Sequence, residues 1–434
     1  RTWHYEKTNF HWDVANYYSY LPATFCNNGS YDFKNGTENY LPISPTGKRM
    51  SKVTYGMSVF YAPAFALGYK IAFNSNEKLD GFSEPFATCV HWISILYGLI
   101  GLIFLRKFLL KFFSEIVTAI TLMIVFGGTM LFYYTMSNNE MTHTYLFFLI
   151  SAFLLVTYKW HEKVTYKKTI LIGLIIGFIS LIRPSEILIF LIFIFWNVRS
   201  WKDFKSEAGF FFKQWPHLLI IFIIGVLIWL PQFFYWKEMT GDYLYSPYAG
   251  GGERFFWGDP QIINILFSYR KGWFVYTPLI LLAFIGFFFM KGEVKKLRGI
   301  LITLLCINIY VLSCWWDWFF GGCFGARGFC QHIAFLAIPI AACVDFFMNK
   351  ENKSIMFQLT KLVFFVFVFS GISLNIGQTY QYNKNYIHSN SMSKKMYWKV
   401  FGEYDIDGDH FWRYWQSLEI PDYGKLQSGE DRDQ

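Results

Sequence analysis

Long apolar runs separated by short polar segments fill the middle of this 434-residue sequence. Residues 1–88, which precede these runs, are mixed and polar. Because a membrane-crossing helix needs about 20 mainly apolar residues, the pattern predicts a bundle of about ten or more transmembrane helices. The predicted spans are residues 89–105, 113–135, 141–157, 169–182, 186–197, 217–235, 273–290, 299–314, 329–347 and 362–376.

The composition supports the same fold class. Hydrophobic residues make up 54% of the chain and charged residues only 16%, whereas a soluble domain has about 25% charged residues. The net charge of +9 does not indicate a nucleic-acid partner, because the cations lie in short clusters between apolar runs and not on one basic face. The sequence therefore predicts an all-α polytopic membrane protein.

The distribution of Lys and Arg predicts the orientation. One set of alternate loops holds 18 of these residues, and the other set holds six over a comparable length. The positive-inside rule places the richer set in the cytoplasm. The expected organisation is an exported loop at 1–88, a transmembrane bundle at 89–376 and an exported tail at 377–434. This parity is expected only if a further span precedes Arg1 or if the N-terminus is itself exported. The charged stretch 430–433 is expected to be disordered.

Residues 57–73 form an apolar stretch inside the exported loop. Pro63 and Lys70 interrupt it, and its length of about 17 residues is at the lower limit for a span. We expect a helix that lies in the membrane interface.

The segment Trp12 to Tyr20 places one carboxylate, Asp13, inside an aromatic cluster. Two interpretations remain open. Asp13 could be the N-cap of a helix over residues 14–21 that Pro22 would end, since Asp is a preferred N-cap. Alternatively, Asp13 could carry chemistry at the polar edge of the bundle.

Ionisable residues at membrane depth are candidates for function. Glu140 and His143 lie three residues apart at the start of a predicted span. Two interpretations remain open: the residues form a metal-binding pair, or they make hydrogen bonds at the start of the helix. The seven cysteines are scattered through the chain. They are expected to be packing residues, with Cys26–Cys89 or Cys323–Cys330 as pairing alternatives.

Three cations have candidate roles as phosphate ligands. Arg183 lies at a Pro184 break, and its guanidinium suits a phosphate; the alternative is an ion pair with Glu186. Arg327 lies among glycines and aromatic residues and has the same two interpretations. Lys52 could bind a lipid head group or serve only as an interfacial anchor.

The order of these motifs resembles the GT-C superfamily of integral membrane glycosyltransferases. The matching pieces are Asp13-x-x-x-Tyr17-Tyr18, a Lys ahead of an interfacial helix, Leu181-Ile182-Arg183-Pro184 and Trp318-x-x-Gly321-Gly322-x-x-Gly325-x-Arg327. The most similar branch is the bacterial protein O-mannosyltransferase and aminoarabinose-transferase kind. One departure is Val14, which follows Asp13 where many members carry a second acid.

The resemblance implies inverting transfer of a sugar from a polyprenyl-phosphate donor in the bacterial inner membrane. Asp13 would be the general base, and Lys52, Arg183 and Arg327 would bind the donor phosphate. No metal or other cofactor is expected, and the partners would be membrane lipids and membrane or exported proteins. Sugar and acceptor would contact a mainly aromatic set: Trp12, Tyr17, Tyr18, Tyr55, Glu140 and His143.

Two other classes of function remain open. A transporter or flippase of lipid-linked sugars would use the same cations, but it is expected to have two repeated halves, which the sequence does not display. A non-catalytic membrane subunit could also keep such a scaffold. Asp13 separates these alternatives from an enzyme, because neither of them needs that one carboxylate.

Overall fold

The computed structural model describes residues 10–246, 248, 252–349, 354–406, 408–430 and 432, without the side chain of residue 410. Within these residues the chain is built from helices and connecting loops. Its extended backbone pairings are two isolated bridges, Ile43 with Arg49 and Phe255 with Trp315.

The α-helices are α1 (Trp12–Tyr18), α2 (Tyr20–Cys26), α3 (Gly56–Asn74), α4 (Glu84–Leu109), α5 (Glu115–Gly127), α6 (Leu131–Met136), α7 (Thr142–Glu162), α8 (Tyr166–Ile182), α9 (Phe190–Ile194), α10 (Trp201–Lys213), α11 (Trp215–Thr240), α12 (Ile262–Phe267), α13 (Trp273–Tyr276), α14 (Leu281–Phe289), α15 (Arg298–Cys314), α16 (Ile333–Asn349), α17 (Ile355–Asn383), α18 (Lys394–Val400), α19 (Asp409–Gln416) and α20 (Tyr423–Ser428). Short 3₁₀ helices occupy Thr37–Tyr40, Pro184–Ile189, Pro278–Ile280, Gly292–Leu297 and Arg327–His332.

Five helical stretches in the described part of the chain are long and apolar enough to cross a membrane. They are Glu84–Leu109, Trp215–Thr240, Gly292–Cys314, Arg327–Asn349 and Ile355–Asn383. A helix rises about 1.5 Å per residue, so the long apolar runs of the sequence give long helices. The architecture is therefore that of an all-α membrane protein.

Each of the ten predicted spans coincides with helix, but several of these helices are short. The run 113–135 is divided into α5 and α6 by a turn after Gly127, and the run 186–197 is a 3₁₀ helix followed by α9. A shorter helix needs partners or a thinner bilayer to cross. Five spans are supported by length and composition, and the larger number stays a prediction.

The first polar segment folds differently from the sequence expectation. The helix predicted over residues 14–21 is divided at Ser19 into α1 and α2. Pro22 lies inside the first turn of α2, where no backbone hydrogen bond is lost, so it does not end the helix. His11 is the N-cap of α1, so Asp13 lies in the first turn and the N-cap interpretation is wrong.

Helix α3 occupies the stretch expected to lie in the interface and packs against α4. The backbones approach closely, because a Cβ on Gly68 would lie 2.8 Å from the Phe86 Cα. The orientation of α3 in the bilayer stays a prediction. The same kind of close approach joins α14 to α16, where a Cβ on Gly286 would overlap the Pro339 carbonyl oxygen.

The boundaries of the predicted domains fall inside helices. Helix α4 begins at Glu84, before the boundary at 88, and α17 continues past 376 to Asn383. All seven cysteines are free, so the two alternative disulfides are absent. Within the charged stretch at 430–433, Arg432 is buried and paired with Asp259, which corrects the expected disorder at that residue, while 431 and 433 lie outside the described residues.

Polar segments that are distant in sequence meet at one end of the bundle. The first segment contacts the 236–272 loop through Lys48 and Glu238. The indole of Trp318, in the 315–328 loop, donates a 2.8 Å hydrogen bond to the Arg432 carbonyl in the tail. These segments are the ones predicted to be exported, and their contacts place them on one common face.

Candidate functional site

The centre of the candidate site is the contact between Asp13 and Arg327. Asp13 Oδ2 accepts a hydrogen bond from Arg327 Nη2 at 3.2 Å, and the two residues are 314 positions apart. The Asp13 side chain is 50% exposed and the Arg327 side chain 18%. The carboxylate is thus fixed on one side by a cation and open to solvent on the other.

Loop geometry positions Arg327. Gly325 has a φ of +58°, a conformation that glycine adopts readily. The Arg327 N–H donates to the Gly325 carbonyl at 2.9 Å, and a 3₁₀ helix begins at Arg327. The guanidinium therefore projects from a tight turn.

Arg183 is the second arginine of the site. Helix α8 ends at Ile182, and Arg183 has an extended backbone because Pro184 follows it. Its side chain is half-buried. Among the described residues, its guanidinium donates no hydrogen bond, and Glu186 pairs with His332 instead. The alternative of an Arg183–Glu186 ion pair is therefore not observed.

The phenol of Tyr17 lies within the electrostatic field of these groups. Burial raises the pKa of Tyr17, and the charge of Asp13 raises it further. Arg183 and Arg327 act on the same pKa in the opposite direction. Tyr17 is therefore near enough to Asp13 and to both arginines for their charges to affect its pKa.

Lys52 lies beside this group but is already neutralised. Its Nζ is 2.6 Å from Glu253 Oε2 and 4.8 Å from the ring centre of Tyr248. The Lys52 backbone N–H donates to Asn16 Oδ1 at 2.7 Å, which connects it to α1.

The other predicted sugar-binding aromatics have separate environments. Trp12 is 76% exposed and contacts the ring of Tyr40. Tyr18 is fully buried, and its hydroxyl donates to the Gly81 carbonyl at 2.6 Å, which places it in the core. The Tyr55 hydroxyl donates to the Ile228 carbonyl at 2.5 Å and joins α3 to α11.

Glu140 and His143 are buried and have different partners. Glu140 precedes α7, and its Oε1 lies 3.6 Å from His91 Nδ1. His143 Nδ1 lies 3.0 Å from Gln331 Oε1. Both contacts are with other parts of the chain and not with the backbone at the start of α7, so they do not decide between the two interpretations. Among the described residues, no three His, Cys, Asp or Glu side chains are grouped to hold a metal ion.

An apolar groove of about 940 Å³ lies between α8, α9 and α11. Its lining includes Gly177, Ser180, Trp229, Phe233 and Tyr245. Ser180 is one turn of helix before Arg183, so the groove leads toward one of the cations of the site.

Sequence reasoning missed Tyr248, Glu253 and the buried partners of Glu186. Glu253 follows the run of three glycines, and that position gave no sign that it would pair with Lys52. Gln331 and His332 come within two turns of Arg327 in a 3₁₀ helix. The one signal in the sequence that these two residues have a role was that they are polar side chains within an apolar run.

Comparison with protein-family models and with curated proteins finds no match to this chain.

Proposed function

We propose that this protein transfers a sugar from a polyprenyl-phosphate donor to an acceptor hydroxyl, with Asp13 as the general base. The observation that carries this assignment is the half-exposed Asp13 carboxylate paired with Arg327, with Tyr17 subject to the charges of Asp13, Arg183 and Arg327 alike. A base and cations are the groups required at the two ends of such a displacement. Membrane localisation follows from the long apolar helices, and we place the protein in a bacterial inner membrane on the resemblance described above.

Asp13 would take the proton of the acceptor hydroxyl. The acceptor oxygen then forms a bond to the anomeric carbon as the bond from that carbon to the phosphate oxygen breaks. The phosphate leaves with the electron pair, and the configuration inverts. A positioned base contributes about 10²–10⁴-fold to such a step. The exposed side of Asp13 leaves room for the acceptor.

Arg183 and Arg327 would stabilise the leaving phosphate. Fixed cations at a developing oxyanion act strongly because they need no reorganisation during the reaction. The Arg183 guanidinium has no hydrogen-bond partner among the described residues, so it is free to bind an oxyanion with its planar fork of donors. Arg327 uses a single donor on Asp13, so other donors remain for a phosphate.

The groove between α8, α9 and α11 would hold the polyprenyl chain. Its lining is almost entirely apolar, and burial of hydrocarbon contributes about 25 cal/mol per Å². Trp12 would contact the sugar, because its exposed ring belongs to the residue next to Asp13, and Tyr17, one turn further along α1, is buried behind it. Tyr18, Tyr55, Glu140 and His143 support the surrounding structure in this arrangement.

The test is Asp13→Asn in the full chain, reconstituted in lipid nanodiscs. Probe donors are polyprenyl-phosphate hexoses, the acceptor source is a membrane and exported-protein extract, and the readout is released polyprenyl phosphate. Asparagine keeps the shape but cannot take the proton. We expect a loss of about 10²–10⁴-fold in turnover with unchanged donor binding.

Asp32→Asn is the matched control. Asp32 lies in the same polar segment, and its Oδ1 is 3.0 Å from Arg49 Nε. That variant should keep full turnover. Wild-type turnover by Asp13→Asn would overturn the catalytic assignment. Donor binding by the wild-type protein without any transfer would favour the transporter or scaffold alternatives.

A further inference from the structure

The two arginines of the site project from two short turns that are linked inside the protein. Arg183 immediately precedes the 3₁₀ helix Pro184–Ile189, and Arg327 begins the 3₁₀ helix Arg327–His332. Each turn also carries buried polar side chains. Glu186 belongs to the first turn, and Gln331 and His332 belong to the second.

Glu186 joins the turns through both of its carboxylate oxygens. Oε1 accepts a hydrogen bond from Gln331 Nε2 at 2.6 Å, and Oε2 accepts one from His332 Nε2 at 2.9 Å. Glu186 is 3% exposed, and its two partners are 1% exposed or less. One side chain therefore bridges the segments that carry the two arginines.

Gln331 extends the network to a third element. Its Oε1 lies 3.0 Å from His143 Nδ1 in the first turn of α7, and its Nε2 also donates to the Gly328 carbonyl at 3.0 Å. The amide thus contacts its own turn, the Glu186 turn and α7 at once. Rotation of the Arg327 turn would break several of these buried contacts.

Burying such a network has no obvious benefit for stability alone. Well-packed apolar side chains of similar volume often stabilise a protein as well or better. A buried polar network does fix one arrangement of the segments that it joins, although His143 Nε2 and His332 Nδ1 have no hydrogen-bond partner among the described residues. The network joins both arginine-bearing turns, so the arrangement that it fixes is the position of these two turns relative to each other.

We propose that Glu186, Gln331 and His332 are positioning residues that set the spacing between the Arg183 and Arg327 guanidinium groups, and thereby the affinity for the donor phosphate. This rests on the proposed function, because it concerns the phosphate of the same donor. The three side chains are buried and act on the phosphate through the arginines. A displacement of about 1 Å at a binding group can cost about 10²-fold in rate.

The first test is Glu186→Gln, with polyprenyl monophosphate as the binding probe for the full chain in nanodiscs. An amide offers one acceptor in place of two, so one of the two cross-links is lost with little change of shape. We expect the dissociation constant to rise about tenfold, the lower end of what contacts that orient binding groups contribute.

Thr169→Val is the matched control. Thr169 is fully buried on α8, where it accepts from Trp160 Nε1 at 2.9 Å and contacts His217 Nδ1 at 2.7 Å. It lies near the opposite end of that helix from Arg183. This variant also loses buried hydrogen bonds, so its melting temperature should fall while its affinity for polyprenyl monophosphate stays the same.

A double-variant comparison separates positioning from a merely structural role. In an Arg327→Gln background, Glu186→Gln should change probe affinity much less than it does in the wild-type background, since one of the two positioned groups is already gone. Equal effects in both backgrounds would overturn the positioning role. An unchanged affinity in Glu186→Gln would do the same.

Gln331→Met is the second variant if Glu186→Gln does not accumulate as folded protein. It removes the amide but leaves the Glu186–His332 hydrogen bond, and the same weakening is expected. Wild-type protein that binds the probe and transfers sugar, with unaltered affinity in the folded variant, would overturn the positioning role alone. Wild-type protein that neither binds the probe nor transfers sugar would overturn the proposed function and this inference with it.

Discussion

Two arginine–aspartate pairs lie on the same polar face and have very different surroundings. Arg432 Nη1 donates to Asp259 Oδ2 at 2.7 Å and also to the Asp259 carbonyl. Its Nη2 donates to the carbonyls of Ser313 and Trp315 at 3.3 and 3.0 Å. Among the described residues, Arg327 donates one side-chain hydrogen bond, to Asp13.

The contrast lies in the arginines and not in the carboxylates. Asp13 and Asp259 have similar side-chain exposure, 50% and 57%. A guanidinium has five N–H donors, and Arg432 uses several of them on fixed backbone oxygens. Arg432 therefore stabilises the loops that it joins, whereas Arg327 retains donors for a ligand. An arginine with unused donors beside an open carboxylate is therefore a better indicator of a site than the ion pair itself.

Replacing each arginine with Gln should give opposite phenotypes. Arg327→Gln should weaken binding of polyprenyl monophosphate about 10- to 100-fold, since hydrogen bonds to charged groups contribute roughly 1.5–3 kcal/mol. Arg432→Gln should instead lower stability by about 1–3 kcal/mol, because buried acceptors lose their donor. Probe competition and thermal unfolding measure the two effects. Similar losses of affinity in both variants would remove the distinction.

Arg183→Gln should weaken probe binding about tenfold and leave thermal stability nearly unchanged. Its guanidinium has no hydrogen-bond partner among the described residues, so its removal leaves no buried acceptor unpaired. Arg183→Lys should bind with intermediate affinity, because Lys keeps the charge and loses the planar fork. A large stability loss in Arg183→Gln would show that the side chain has a structural role.

Lys52 should matter less than either arginine, because Glu253 already neutralises it. Partly exposed ion pairs are worth about 0.2–1 kcal/mol, so Lys52→Gln should weaken probe binding by at most about fivefold. Glu253→Gln should release Lys52 and tighten binding, most clearly at low ionic strength. Salt titrations of probe affinity check this, and a Lys52 variant as weak as the Arg183 variant would contradict it.

Asp317 extends the comparison to a carboxylate that should not affect donor binding. Burial raises the pKa of Asp317 from 3.8 to about 6, against the opposing effect of the nearby cations. A raised folded-state pKa gives stability that is present below pH 3.8 and is lost as the pH rises through about 6.

Asp317→Asn mimics the protonated side chain. At pH 7.5 it should be more stable than the wild-type protein, by up to about 3 kcal/mol, and the difference should shrink as the pH falls from 6 toward 4. Thermal unfolding across this range measures the effect, and probe affinity at pH 7.5 should stay the same. A stability difference that does not vary with pH would contradict the assigned pKa.

The all-α membrane class and the positions of the long helices could be predicted from the sequence alone. Apolar runs are local signals, because each residue's transfer from water favours burial wherever the run packs. The stretch at 57–73 became α3 with almost the same limits. The division of the helix at Ser19 was not predicted. Pro22 was expected to end the helix, but it lies inside the first turn of α2, where proline is tolerated.

Which polar residues meet depends on how the helices pack and could not be predicted from the sequence. Asp13 and Arg327 were each singled out from the sequence, but their pairing depends on the packing of many helices between them. Glu253, Gln331 and His332 gained their roles in the same way, from partners more than 100 residues away. The local sequence pattern indicates which residues are buried and the helical period. The geometry of a site depends on contacts between distant residues, and these contacts form only when the helices pack.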